Sequence, residues 1–238
     1  MSESFPQAVN RLLAALPDAE YQHLIPHLQH VSLSLKQVLY EVGEPIEYVY
    51  FPYRSIVSSL STMNDGSMVE VCLVGNDGIA GIPAALGDNI ATTTATVQIP
   101  DSAMRMKANL LKTEFQRGGS FQSLLLRYMQ AQHAFVSQNV ACNRLHQLDG
   151  RLARWLLLVC DRVESKELPL THEFIGQMLG VRRAGVTEAA NTLQKAGLIR
   201  YNRGKITILN REGLEAFSCE CYEIINGEYT RLLGTGRG

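Results

Sequence analysis

The run from Leu170 to Leu193 restricts the fold of this chain more than any other stretch. Thr171 stands just before Phe174, Ile175, Met178 and Leu179, which recur at helical spacing on one face. The Thr171 hydroxyl is placed to accept a hydrogen bond from the free N–H groups of that first turn. Gly180 supplies a tight turn, after which Val186, Ala189 or Ala190, and Leu193 mark the inward face of a second helix. Arg183, Thr187, Glu188 and Asn191 are left facing outward. Two short amphipathic helices around a glycine turn form a helix-turn-helix, and the outward residues are of the kinds that hydrogen-bond base edges in the major groove.

Lys195-Ala196-Gly197-Leu198 closes the second helix with a glycine at its C-terminal end. Ile199-Arg200-Tyr201, Asn202-Arg203-Gly204-Lys205 and Ile206-Thr207-Ile208 then read as strand, turn, strand, which makes the unit a winged helix. From Arg182 to Lys205 there are six cations and one acid, Glu188, the electrostatic footprint that phosphate binding requires. Double-stranded DNA is therefore the expected partner. Arg183 is the candidate base reader, because its planar fork matches guanine O6 and N7. Thr187, Glu188 and Asn191 complete the reading face, with Glu188 an acceptor for a cytosine amino group. Thr171, His172, Arg182, Arg203 and Lys205 are the candidates for phosphate contact.

A chain of 238 residues is long enough for two modest domains, each with a core. A formal net charge of −1 excludes a general polyanion binder, and the basic residues concentrate in the second half, where 151–238 hold 13 basic and 10 acidic residues. Five scattered cysteines, Cys72, Cys142, Cys160, Cys219 and Cys221, suit a reducing compartment better than a disulfide framework. No basic segment leads into an apolar run at the N-terminus, and nothing approaches roughly 18 uninterrupted apolar residues, so a cytoplasmic protein without membrane association is expected. No nucleophile elbow, metalloprotease helix or glycine-rich phosphate loop is present, and an enzyme is not expected. Cys219-Glu220-Cys221 reads as two ordinary thiols, since positions two apart point to different sides of a helix. His23, His27 and His30 have ligand-like spacing that Pro26 interrupts. Neither a metal nor a cofactor is expected.

Residues 5–29 read as helical, interrupted at Pro17 and Pro26. From Val31 the apolar period becomes two, with strands at Val31–Leu35, Val38–Tyr40, Tyr48–Phe51, Ile56–Leu60, Val69–Val74, Thr94–Ile99 and Ala103–Met106. Gly/Asp turns between short strands predict a barrel or sandwich, and Gly75–Gly81 reads as one such turn. A long helix follows over about 120–148, in which Leu124, Tyr128, Ala131, Phe135, Gln138, Cys142 and Leu145 recur at steps of three and four. Packing on its own barrel would account for this stripe. It is read instead as a dimer seam, being longer than a small barrel can cover. His146-Gln147-Leu148-Asp149-Gly150 reads as a hinge, and Arg151–Val163 as a further amphipathic helix.

This order, together with Gly150-Arg151-Leu152-Ala153 after the hinge and Gly176-Gln177-Met178-Leu179-Gly180-Val181 in the turn, resembles the Crp/Fnr (cyclic-AMP receptor protein) superfamily of bacterial transcription regulators. Val38-Leu39-Tyr40-Glu41-Val42-Gly43-Glu44-Pro45 is similar to the opening of that family's effector barrel. The resemblance spans nearly the whole chain. It implies an α+β fold with a cyclic-nucleotide-binding-like β-barrel (jelly roll) at 1–119, a dimerisation helix and hinge at 120–149, and a winged-helix DNA-binding domain at 150–238. It further implies a homodimer on a pseudo-palindromic operator, with RNA polymerase as another candidate partner. Family members that bind cyclic nucleotides carry a Gly-Glu pair for the ribose and an Arg-Ser or Arg-Thr pair for the phosphate. The matching residues here are Gly81-Ile82 and Thr93-Thr94, which offer neither the carboxylate nor the cation. From Gln37 to Met104 there are eight acids and one basic residue, Arg54, which opposes an anionic ligand. The oxygen-sensing branch holds an iron–sulfur cluster on grouped cysteines near the N-terminus, and the first cysteine here is Cys72. The effector is left open. Two rival functions compete with a regulator not gated by cyclic AMP: a ligand-binding signalling module whose winged helix contacts protein, and an enzyme with an appended helical domain. The cation cluster favours the regulator.

Overall fold

The described residues, 10–234 of a computed structural model, begin with two short helices, α1 (Arg11–Ala14) and α2 (Asp18–Leu24). Buried Asn10 caps α1 by accepting from Leu13 N at 3.1 Å, and its amide donates to the carbonyls of Pro52 and Gly78, which pins the helix to the end of a later strand and to a later turn. The prolines act where the sequence places them. Pro17 precedes α2, and Pro26 lies in a 3₁₀ turn over Ile25–His27.

Seven strands follow: β1 (Gln29–Leu33), β2 (Val38–Tyr40), β3 (Tyr48–Pro52), β4 (Ile56–Thr62), β5 (Met68–Val74), β6 (Thr94–Ile99) and β7 (Asp101–Lys107). They form two antiparallel sheets, ordered β1-β7-β3 and β2-β6-β4-β5, around an apolar core that includes Val49, Phe51, Ile56, Val57, Ala95 and Val97. These are the seven strands that the period-two pattern predicts, with ends shifted by up to two residues.

The chain continues through α3 (Ala108–Arg117) to the long α4 (Gly119–Leu145) and, after a break of only His146 and Gln147, α5 (Leu148–Val163). The break is narrower than the hinge expected over 146–150, because Leu148–Gly150 already belong to α5. The winged-helix unit comprises β8 (Glu167–Leu168), α6 (His172–Leu179), α7 (Arg183–Lys195), β9 (Ile199–Asn202) and β10 (Lys205–Ile208), with a sheet ordered β8-β10-β9. Two further helices, α8 (Arg211–Phe217) and α9 (Cys221–Leu233), complete the fold. None of the helices among the described residues is long and apolar enough to cross a membrane.

The predicted dimer seam is occupied by the chain itself. Leu124, Tyr128, Ala131, Phe135 and Cys142 are all buried, packed inward against the barrel and against α9. Tyr128 donates to the Ile79 carbonyl at 3.3 Å and meets Tyr229 of α9 edge-on at 6.4 Å. Gln138 is half-buried and donates to Cys221 Sγ at 3.0 Å. Leu145 alone of the seven is open to solvent, at 73%. The apolar surface that the barrel could not cover is taken up by α9, so the stripe belongs to an intramolecular core. The outward face of α4 carries a second series, Leu126, Met129, His133, Val136 and Val140, with Leu126 and Val140 exposed.

Polar groups at depth join the barrel to α5. Asp77 of the Gly75–Gly81 turn holds Arg162 through Nη2 at 2.8 Å and Nε at 3.1 Å, with the guanidinium buried and 5.2 Å above the Tyr229 ring. Buried Glu70 receives the Trp155 indole N–H at 2.8 Å and the Ser58 hydroxyl at 2.6 Å, and burial pushes its carboxyl above the usual range. Gly75 leaves no room for a side chain, since a Cβ there would meet Arg162 Cβ at 2.4 Å.

Candidate nucleic-acid interface

Local chemistry sets the helix-turn-helix. Thr171 Oγ1 accepts from Phe174 N at 3.2 Å, the cap its position predicts. At the other end of α6, Gly180 takes the left-handed conformation at φ 64°. Val181 N donates to the Gly176 carbonyl at 2.9 Å, and a Cβ on Gly176 would lie 2.9 Å from the Val181 oxygen, so this close turn requires glycine. Ile175, Met178 and Leu179 of α6 and Val186, Ala189, Ala190 and Leu193 of α7 are buried. Arg151 of α5 supports the turn by donating Nη2 to the Leu179 carbonyl and to Asn143 Oδ1, both at 2.8 Å. Sequence reasoning passed over that residue, although a basic side chain at the buried start of α5 marks it.

On α7, Arg183, Glu188 and Asn191 are exposed, as is Arg182 immediately before it. Arg182 is the N-cap residue, and no side chain caps the first turn, so free backbone N–H groups point out beside two guanidinium groups. Thr187 is half-buried and differently engaged: its hydroxyl donates to the Arg183 carbonyl at 3.1 Å and lies 3.0 Å from His172 Nδ1.

His172 is held inside the unit rather than on its surface. It is buried, stacked on Tyr201 at 3.9 Å between ring centres, with Nδ1 on Thr187. Because the Thr187 proton goes to Arg183, the imidazole must donate from Nδ1. Its Nε2 is buried without a partner, which suits a neutral ring. Burial, and secondarily the Arg183 charge, lower the His172 pKa. The sequence placed His172 correctly in the first turn of α6, but not the wing strand that folds over it.

The wing is a two-residue hairpin in which Asn202 pairs with Lys205. Arg203 and Gly204 form its tip with φ of 46° and 81°. Positive φ at both positions is the hairpin geometry that Asn-Gly ordinarily fills, and a long side chain at the first is strained. Arg200, Arg203 and Lys205 are exposed. Lys205 is partly neutralised by an ion pair with Glu167 of β8.

The four predicted effector residues have different surroundings. Gly81 is left-handed at φ 91° and pressed against Val49 and Ile46, while Ile82 is buried in the core. Thr93 is half-buried. Thr94 accepts from Val42 N at 3.3 Å and lines a cavity of about 500 Å³ between the four-stranded sheet and α6, alongside Leu60, Phe174 and Met178.

Residues 150–217 match the Crp-like helix-turn-helix domain family. Over 176 residues the chain is 21% identical to the global nitrogen regulator of Nostoc sp., covering 70% of this chain and 78% of that one. It is 23% identical over 198 residues to the CRP-like cAMP-activated global transcriptional regulator of Mycobacterium tuberculosis, covering 80% and 88%. Among solved structures, FixK2 from Bradyrhizobium japonicum superposes with a TM-score of 0.69 at 19% identity, covering 81% of this chain and 98% of that one. The c-di-GMP responsive global regulator CLP of Xanthomonas campestris gives 0.65 at 12% identity, covering 81% and 99%. Residues 150–217 thus carry a Crp-like helix-turn-helix domain on α6 and α7, and the chain shares the fold of these regulators along most of its length.

Proposed function

We propose that this chain is a homodimeric, sequence-specific DNA-binding regulator that is not gated by cyclic AMP. The observation that carries the reading is the exposed face running from Arg182, Arg183, Glu188 and Asn191 to Arg200 and Arg203 at the wing. Arg183 reads base edges, together with Glu188 and Asn191, from the major groove. Thr187 orients the reading helix rather than touching a base. Arg182, Arg203 and Thr171 hold phosphates, with Lys205 contributing once it leaves Glu167. Strain at Arg203 supports a functional wing tip, since a folding role alone would be better served by Asn or Gly.

The dimer forms through the outward series Leu126, Met129, His133, Val136 and Val140, whose steps of three and four match a coiled-coil seam. A symmetric pair then sets two reading helices on half-sites about 34–36 Å apart. Cyclic nucleotides are disfavoured because Ile82 brings no carboxylate for the ribose hydroxyl and Thr93 no cation for the phosphate. The function is cytoplasmic and non-enzymatic on this reading. A gel-shift titration against salt tests it: neutralising several phosphates makes affinity fall steeply and log-linearly with salt on duplex carrying the selected site. Flat salt dependence would instead support a winged helix that contacts protein.

A further inference from the structure

Where the end of α4 meets the start of α9, three thiols and an imidazole converge. Helix geometry separates Cys219 from Cys221 only if both are helical, and Cys219 precedes α9 in non-helical backbone. Cys142 and His146 stand one turn apart at the end of α4. Cys142 Sγ lies 3.5 Å from Cys219 Sγ, and Cys221 Sγ lies 3.4 Å from His146 Nδ1. All four potential ligand atoms fall within 4.8 Å of one another.

We propose that Cys142, His146, Cys219 and Cys221 form a structural zinc site that fastens α9 to the end of α4. Zinc bonds of about 2.3 Å to sulfur and about 2.0 Å to nitrogen set tetrahedral ligand atoms about 3.5–3.8 Å apart, close to the separations found here. Space within 4.8 Å admits one ion. The surroundings are those of a metal ligand set rather than of idle thiols. His146 turns Nδ1 to the sulfurs and Nε2 to Glu220 Oε1 at 3.2 Å, so a carboxylate orients the ring and raises its basicity. Gln138 donates an N–H to Cys221 Sγ at 3.0 Å. Arg154, nearby, is buried with Nε and Nη1 unpartnered, which sets a positive group beside the cluster. Three thiolates and one divalent ion leave a net charge of −1, which the guanidinium offsets. On binding, the thiol protons pass to solvent and the four ligand electron pairs to the ion, with no change of oxidation state.

Full-length protein purified without chelator is expected to carry about one zinc per chain by plasma emission spectrometry. Cobalt(II) added after zinc removal should give the visible bands of a tetrahedral thiolate site. Cys219→Ser and His146→Ala should lose the ion, His146→Cys should keep it, and Cys160→Ser, a buried thiol outside the cluster, should keep it as well. The cobalt spectrum of the wild type does not depend on any variant folding. A wild type without zinc that gives no tetrahedral cobalt spectrum overturns the proposal. So does a Cys142–Cys219 disulfide found by mass spectrometry in metal-free native protein, an iron–sulfide absorption band, or full zinc occupancy in folded Cys219→Ser.

Discussion

At the scale of single residues, Arg183 and His172 separate recognition from support. Arg183→Ala should cost about 1–3 kcal/mol of operator affinity and relax selectivity at one position per half-site, as read by binding-site selection. An unchanged motif with uniformly lowered affinity would make Arg183 a phosphate contact. His172 acts behind the reading face. Because its pKa is depressed in the fold, its contribution to stability is complete above the ordinary imidazole value of about 6.5 and is lost as pH falls through the lower folded value. Thermal melts across acid pH should therefore fall more steeply for the wild type than for His172→Phe, which keeps a ring on Tyr201 and has nothing to titrate. Equal slopes would mean that protonation at this site is not linked to unfolding.

At the scale of elements, α4 carries two faces, and substitutions on them should diverge. Phe135→Glu places a charge in the core and should lower the melting temperature sharply. Val140→Glu lies in solvent and should leave the melt of the subunit intact while shifting sedimentation to a monomer. A dimeric Val140→Glu protein would remove the outer series as the seam. The strands were legible because Val31–Leu35 and Thr94–Ile99 alternate and the others are short apolar runs between turn residues, signals that local sequence carries. The seam was misread because α4 alternates on both sides, and periodicity reports that a face is covered without naming what covers it. The cover is α9, whose Tyr222, Ile225, Tyr229 and Leu233 follow helical spacing past the point where the winged-helix signature ends. On the reading helix, exposure of Arg183, Glu188 and Asn191 was legible from the same period, whereas the contact of Thr187 with His172 depends on a fold-back no period encodes.

At the scale of the molecule, barrel and DNA-binding unit are joined by buried charge. Asp77→Ala leaves Arg162 unpaired and should destabilise the protein by about 3–5 kcal/mol, measured by denaturant titration. A loss below about 1 kcal/mol would mean that solvent already reaches the pair. Calorimetry with cyclic AMP and cyclic GMP should show no binding, because Ile82 is sealed in the core and Thr93 carries no charge. A micromolar dissociation constant for either would show that the phosphate is held elsewhere in the barrel.

The winged-helix unit is attached at both of its ends. It enters through α5, two residues after α4 stops, and leaves through the short segment before α9, which lies back against α4. A rigid body on a single tether can tumble about three axes. Held at its two chain ends, by the Arg162–Asp77 pair of α5 and by α6 lying on β5, it has no free axis. Any reorientation of the reading helix in this protein therefore begins with the loss of a contact to the barrel, and a ligand in the cavity between sheet and α6 would act by loosening or tightening that one contact.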